Sequence, residues 1–478
     1  MTMIAFPPVD MSVIDRRAEI ADGLRRLIPG EAVITDLREL VAYETDAFTA
    51  YRRVPLAVVL PSTTAEVAEV MKFCARNRVP VVARGAGTSL CGGATPQEDA
   101  VVLGLAKMNK VLAVDYADRT ATVQAGITNL AISAVVGERN FFYAPDPSSQ
   151  LACTIGGNIA MNSGGAHCLK YGVTTNNLLG VTLVTLDGDV LELGGAALDP
   201  GGLDLVGLVC GSEGQLGIVT EAVVRILPLA EGARPVLFGF ASSGAAGECV
   251  ADIIAAGIVP VAMEFMDKPA IAICEAFAKA GYPLDAEALL IVEVEGSDEE
   301  MAATLARIVE IARRHDVRTI KESRSAMETA AIWKGRKSAF GATGRIADYI
   351  CMDGTIPTGQ LPHVLARIDA IVKGYGLRVA NVFHAGDGNL HPLILYNVND
   401  EAEAEKAERA GMDILKLCVD VGGCLTGEHG VGIEKRDLMR HQFSDADLEQ
   451  QMRVRGVFDP GWLLNPAKVF PLDGRVTA

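Results

Sequence analysis

The stretch PDPSSQLACTIGGNIAMNSGGAHCLKYG, residues 145–172, limits what this chain can fold into more than any other. It holds two pairs of adjacent glycines, Gly156/Gly157 and Gly164/Gly165, with asparagines at 158 and 162 and almost no charge. Adjacent glycines let backbone N–H groups approach a ligand where any Cβ would collide. Two such pairs within ten residues imply a chain laid against something large, flat and anionic. The remainder of the stretch is largely apolar, unlike a solvated loop, so it reads as a buried seat.

At 478 residues the chain exceeds what one hydrophobic core usually supports, and two or three domains are expected. A net charge of −17 argues against nucleic acid and requires that an anionic substrate be attracted by local positive groups. The ten cysteines include no C-x-x-C pair, which speaks against a zinc ribbon or an iron–sulfur cluster. Most lie in apolar runs and read as reduced core residues of a cytoplasmic protein. The first residues lack the basic and apolar regions of a secretory signal, and no apolar stretch reaches membrane-spanning length. Membrane contact is therefore expected only through a partner.

Taken in order, residues 1–54 form an N-terminal segment with an amphipathic helix over 13–29. A first domain spans 55–231. Its apolar run 56–60, the helix opened by Thr63 and Glu66 at capping-box spacing, and the run 79–83 predict a β-α-β unit. The loop Arg84, Gly85, Ala86, Gly87, Thr88, Ser89, Leu90 follows. Its backbone N–H groups and two hydroxyls suit a pyrophosphate nest, although no third glycine or helix follows, as a Rossmann fingerprint would need. Asp187-Gly188 predicts a tight hairpin, and Gly211–Gly217 supplies a third glycine cluster. Over 232–440 two β-α-β patterns predict a ferredoxin-like cap. Residues 441–478 are expected to fold back into the first domain. The fold class is α+β.

Seven histidines occur, and two flank a turn signal in His384-Ala-Gly-Asp-Gly-Asn-Leu-His391. With Asp387-Gly388 as a type I′ turn, the two histidines become directly opposed, about 4.5–5.5 Å apart at Cβ. Two imidazoles at that separation can share a metal, and Glu428 offers a third ligand. Two histidines and a carboxylate with an open position describe a catalytic metal site, for Zn²⁺ first and Mn²⁺ or Fe²⁺ next. Trp333-Lys-Gly-Arg-Lys337 groups three cations with an aromatic, and Arg336 suits a bidentate grip on a carboxylate.

Arg84–Leu90, the 145–172 stretch and the His384/His391 and Glu428-His429 motifs together resemble the FAD-linked oxidases with the vanillyl-alcohol-oxidase (PCMH-type) flavin fold, over residues 54–471. Tyr143–Gln150 and His167–Gly172 are similar to the glycolate oxidase group in particular, with the D-lactate dehydrogenases nearby. The resemblance implies a two-subdomain PCMH-type FAD-binding domain plus the α+β cap. It implies that Arg84–Leu90 hold the FAD pyrophosphate. Pro145, Asp146, Thr154, Gly156, Gly157, Asn162, Gly165, Tyr171 and Gly172 would line the flavin, Gly217 and Ile218 would flank the adenine side, and Asn465 would reach the ring. His384, His391 and Glu428 correspond to metal ligands, Arg336 to a substrate-carboxylate arginine and His429 to a catalytic histidine.

The phosphate loop has no histidine for covalent attachment, so noncovalent FAD is expected. The implied activity is oxidation of a small 2-hydroxy acid, glycolate or D-lactate, by hydride transfer to flavin N5. Leu393 stands where relatives acting on 2-hydroxyglutarate carry asparagine, which favours a smaller substrate. Electrons would leave through an iron–sulfur subunit and a second flavoprotein-like subunit, or a quinone- or cytochrome-type acceptor, at or near the inner membrane. The alternatives are D-lactate or D-2-hydroxyglutarate dehydrogenase and, from another class, an alkyl-glycerone-phosphate-synthase-like transferase.

Overall fold

The computed structural model describes residues 4–197 and 201–472. The expected 1–54, 55–231 and 441–478 segments each lose a few residues to this limit, at 1–3, 198–200 and 473–478. The described chain divides into two compact units, one made of 4–164, 173–229 and 428–472, the other of 165–172 and 230–427.

The first unit contains a four-stranded and a five-stranded sheet. Strands β1 (Val33–Ile34), β2 (Ala57–Val59), β3 (Val81–Arg84) and β4 (Val101–Gly104) line up as β1-β2-β4-β3, parallel except for β1. The helix Thr64–Asn77 makes the crossover, its N-terminus capped by the Thr63 hydroxyl. It buries Val67, Val70, Met71 and Cys74 at helical spacing, which is why the run folds as a helix. Strands β5 (Val111–Asp115), β6 (Thr120–Gln124), β8 (Leu178–Val184), β9 (Val190–Gly194) and β10 (Ile218–Arg225) form the antiparallel sheet β5-β6-β10-β8-β9. The β8–β9 hairpin turns at Gly188, whose φ of +77° suits a residue without Cβ. A short pair joins β7 (Phe141–Phe142) to β11 (Leu227–Pro228). The tail closes on this unit. Val81 donates to the Leu463 carbonyl at 2.8 Å and accepts from the Asn465 N–H at 2.8 Å.

The second unit is one seven-stranded antiparallel sheet. Its strands are β12 (Ala233–Phe240), β13 (Ala262–Asp267), β14 (Ala288–Glu295), β15 (Val317–Glu322), β16 (Asp348–Cys351), β17 (Arg378–His384) and β18 (Pro392–Tyr396), in the order β15-β12-β14-β13-β17-β18-β16. The first four follow the order of two interleaved β-α-β units. One face packs Met266, Leu289, Ile291, Val382 and Leu393 with Ile332 of the helix Ala326–Lys337. On β13 and β17, Phe265 and Phe383 stack at 4.7 Å and alternate with these residues.

The boundaries differ from the expected 232–440 cap in two places. Residues 428–440 belong with the first unit, because Glu213 and Cys91 hold their backbone. Residues 165–172 belong with the second. There Lys170 pairs with Glu295 at 2.6 Å, the Tyr171 hydroxyl donates to the same carboxylate, and His167 meets Glu293 at 3.2 Å.

Candidate active site

In the second unit the polar side chains are placed by strand register. Glu264 on β13 lies opposite His384 on β17, and Glu293 on β14 lies opposite Ala262, two residues along from Glu264 on the same face. The result is a row of buried polar groups at one end of an otherwise apolar sheet face. Glu264 is fully buried and joins two members of that row. One carboxylate oxygen contacts the Arg336 guanidinium at 2.7 Å (Nε) and 2.6 Å (Nη2), and the other meets His384 Nδ1 at 2.7 Å. Burial pushes the Glu264 carboxyl up, but the charges of Arg336 and His384 outweigh it and hold the group below its ordinary value.

The two histidines do meet, in a different register from the expected one. The ladder pairs Asn381 with Pro392 and His384 with Asn389, so the turn centres on Gly386-Asp387, one residue earlier than Asp387-Gly388. His391 is therefore diagonal to His384 rather than opposite it. Diagonal neighbours share a face and lie within reach of ring side chains. The rings stand 5.2 Å apart, nearly perpendicular at 82°. The shift goes with a contact from outside the hairpin: Gly388, at φ +77°, accepts the Ile356 N–H on its carbonyl at 3.0 Å, and a Cβ there would collide with the Ile356 carbonyl.

Two groups that sequence reasoning missed complete this arrangement. Glu264 is one. The other is Asp353, fully buried, whose carboxylate accepts from Asn389 Nδ2 (2.9 Å), the Gly427 N–H (3.1 Å) and the Thr426 hydroxyl (2.5 Å), and stands 3.5 Å from His391 Nε2. A lone carboxylate inside an apolar strand such as Val261–Met266 is the available signal for Glu264. Arg336 is buried, whereas its neighbours Lys334 and Lys337 are exposed. Trp333, one turn earlier, donates to Glu293 at 2.8 Å. The histidine–carboxylate pairing fits a metal site, since a ligating imidazole characteristically has its other nitrogen held by a carboxylate. Leaving Nε2 of His384 as the ligating atom satisfies that pattern.

In the first unit the site is mostly backbone. The Arg84 guanidinium packs against Gly87 of its own loop and donates to the Thr45 carbonyl at 2.8 Å above Tyr43. Gly85 lies against the Thr154 hydroxyl and Gly87 has φ +73°. Residues 85–90 are irregular and only partly buried, so Ala86, Thr88, Ser89 and Leu90 present N–H groups and hydroxyls rather than a core face. Thr154 caps the helix Ile155–Met161. A Cβ at Gly156 would stand 2.8 Å from Ala125 Cβ, and Gly157 donates to the Thr154 hydroxyl. Asn158 donates to Asn129, which donates to the Pro145 carbonyl, so two buried amides hold the Pro145-Asp146 segment beside this helix.

Asn162 ends the helix in the left-handed region and accepts from the Thr175 N–H. Gly217, at φ +150°, approaches the Val184 carbonyl, and Ile218 begins β10. Asn465 is buried and donates to the carbonyls of Gly93 (3.0 Å) and Glu213 (2.7 Å), while its Oδ1 has no hydrogen-bond partner among the described residues. That buried acceptor, with the bare glycine surface, fits a flavin. Gly165, Tyr171 and Gly172 lie in the second unit, where the Tyr171 hydroxyl is bonded to Glu295. Glu428 and His429 lie in the first unit. The Glu428 carboxylate accepts from the Gly164 N–H at 3.1 Å, and the His429 carbonyl accepts from the Cys91 thiol at 3.1 Å.

A unit of bare glycine backbone and a unit carrying a guanidinium and paired imidazoles define a flavin-dependent oxidoreductase. Residues 55–194 match the FAD binding domain and residues 230–469 the C-terminal domain of the FAD linked oxidases. The chain belongs to the FAD-linked oxidase family. It is 47% identical over 468 residues to the glycolate oxidase subunit GlcD of Escherichia coli (strain K12), covering 98% of this chain and 93% of that protein. It is 32% identical over 419 residues to a D-lactate dehydrogenase of Archaeoglobus fulgidus, covering 86% and 90%. Among solved structures, p-cresol methylhydroxylase with substrate bound superposes with a TM-score of 0.80 at 16% identity, over 97% of this chain and 98% of that one, a likeness of fold.

Proposed function

We propose that this protein oxidises a small 2-hydroxy acid, glycolate first and D-lactate second, to the 2-oxo acid. The observation that carries the reading is the buried Arg336–Glu264–His384 contact, which sets a fixed cation beside an imidazole pair on one sheet face. The similarity to a glycolate oxidase subunit and to a D-lactate dehydrogenase supports the substrate class.

Bound FAD, held without a covalent link, supplies the hydride acceptor at N5. Arg336 receives the substrate carboxylate on the guanidinium edge that Glu264 leaves open, and Glu264 keeps that guanidinium from turning away. His384 and His391, with Glu428 as the third ligand that the sequence offers, would hold a divalent cation, zinc first and manganese or iron next, whose charge would lower the pKa of a substrate hydroxyl. His429 takes the hydroxyl proton as general base. Leu393, on the sheet face that carries His391, adds no polar group for a longer diacid. Electrons pass to an iron–sulfur subunit and a second flavoprotein-like subunit of a glycolate-oxidase-type complex, or to a quinone- or cytochrome-type acceptor. Among the described residues no helix is long and apolar enough to cross a membrane, so attachment to the inner membrane would run through those partners.

The test is anaerobic bleaching of the flavin in the purified protein across a panel of 2-hydroxy acids, with and without chelator. Fast bleaching by glycolate, slower bleaching by D-lactate and loss of both on metal removal are expected. Bleaching by 2-hydroxyglutarate alone, or by none of the panel, would overturn the reading.

A further inference from the structure

The glycine cluster 211–217 has a charged residue at its centre. Glu213 is 4% exposed and has φ +53°, a left-handed conformation that an L residue adopts at a cost. Both of its carboxylate oxygens serve one loop. Oε1 accepts the Val431 N–H at 2.6 Å and Oε2 accepts the Gly432 N–H at 2.9 Å. Burial pushes this carboxyl up, and the two N–H bonds and Lys435 oppose that shift. Its carbonyl accepts from Asn465 Nδ2 at 2.7 Å. Gly430, at φ +89°, packs so closely that a Cβ there would stand 2.9 Å from Glu213 Oε1 and 2.7 Å from Met161 Sδ.

The loop so held carries Glu428 and His429, and residues 428–433 form no helix or strand of their own. Their shape has to come from partners elsewhere in the first unit. Cys91 contributes its thiol to the His429 carbonyl and its own carbonyl to the Ile433 N–H at 2.9 Å, and Lys435 Nζ donates to the Gly430 carbonyl at 2.9 Å. Glu213 differs from these in using a carboxylate, so its two bonds are charge-assisted and the strongest kind available to a backbone N–H.

We propose that Glu213 is a positioning residue for the redox reaction. Its carboxylate fixes the backbone on which His429 and Glu428 are mounted, and its carbonyl ties that backbone to Asn465 at the flavin seat. The inference rests on the reading of His429 as general base. It explains why an acid occupies a left-handed position in a glycine cluster. Misplacing a catalytic group by about 1 Å costs on the order of 100-fold in rate.

The test compares wild-type holoenzyme with Glu213→Gln, Glu213→Asp, Gly430→Ala and His429→Ala. Glutamine keeps the size but turns one acceptor into an amide that faces an N–H. Amide hydrogen exchange at Val431 and Gly432 should quicken in Glu213→Gln, while the Val81 amide, bonded to Leu463, keeps its rate. Turnover per bound flavin should fall roughly 10–100-fold with KM within about two-fold, the mark of a group acting in the transition state. Glu213→Asp, which keeps both acceptors, should recover part of the loss, and Gly430→Ala should reproduce it from the loop's side. A loss confined to melting temperature and flavin content, with turnover per flavin unchanged, overturns the proposal, as does unchanged exchange at Val431 and Gly432. Should Glu213→Gln not fold, Gly430→Ala with full turnover per flavin overturns it instead. Full turnover in His429→Ala is a different failure: it removes the general-base reading while the exchange data still report whether the clamp exists.

Discussion

The two units arrive at their chemistry by opposite means. The first presents backbone: glycines stripped of Cβ, a helix capped by Thr154, and a buried Asn465 with an acceptor to spare. The second presents side chains: strand register sets His384 beside Glu264 and diagonal to His391, while the helix Ala326–Lys337 adds Arg336 and the loop after β16 adds Asp353. A backbone surface depends on what is absent from the chain and tolerates no added atom. A row of buried charges depends on each member having its partner, and fails when one is left alone.

The largest effect should come from breaking the charged row. Arg336→Met leaves the Glu264 carboxylate buried without its cation, and a stability loss of about 3–5 kcal/mol is expected in denaturant melts, with turnover abolished. Pairing it with Glu264→Gln should return most of the stability and none of the turnover. A single-variant loss under about 1 kcal/mol would show that the second unit is not knit by charge after all.

The next variant asks how far the first unit is free of buried charge. Lys468 is buried there, and desolvation lowers its pKa to about 7 even with Asp46 and Glu213 near it. In the unfolded chain a lysine titrates near 10.4, so between those values the unfolded state binds more protons. Stability should therefore climb as pH rises from about 7 to about 10, by on the order of 1 kcal/mol per pH unit, and level off above. Lys468→Met should remove the slope, and urea melts at several pH values check it.

Gly156→Ala probes the backbone seat itself. The added methyl meets Ala125 at 2.8 Å, so about 1–3 kcal/mol of stability should go, together with FAD affinity in a fluorescence titration. Retained affinity would dissolve the contrast between the units. The smallest effect is a gain. Ala467 sits at φ +63°, and Ala467→Gly should raise stability by about 0.5–1 kcal/mol in the same melts.

The contrast also explains what could be read in advance. A backbone seat writes itself into composition: Gly85, Gly87 and Gly156 stand out because a Cβ there would collide. The hairpin between His384 and His391 was legible for the same reason, since glycine and aspartate mark a turn. Its register was not, because the Gly388 carbonyl accepts the Ile356 N–H, a contact from outside the hairpin. Asp353 escaped notice because it stands in the loop after β16, and Glu264 because a single acid in an apolar strand has no periodicity. Its meaning appears only when β17 lies alongside β13. Glu213 was hidden inside a motif read for its glycines.

The excursion of residues 165–172 bears on anyone who would trade parts between relatives. A gene encoding 230–427 alone would yield a body lacking eight residues of its own surface, with Glu293 and Glu295 stripped of His167, Lys170 and Tyr171. Grafting this body onto another flavin-binding half requires four splice junctions rather than two, after 164, 172, 229 and 427. A chimera cut only at the obvious boundaries would carry the wrong octapeptide against its sheet.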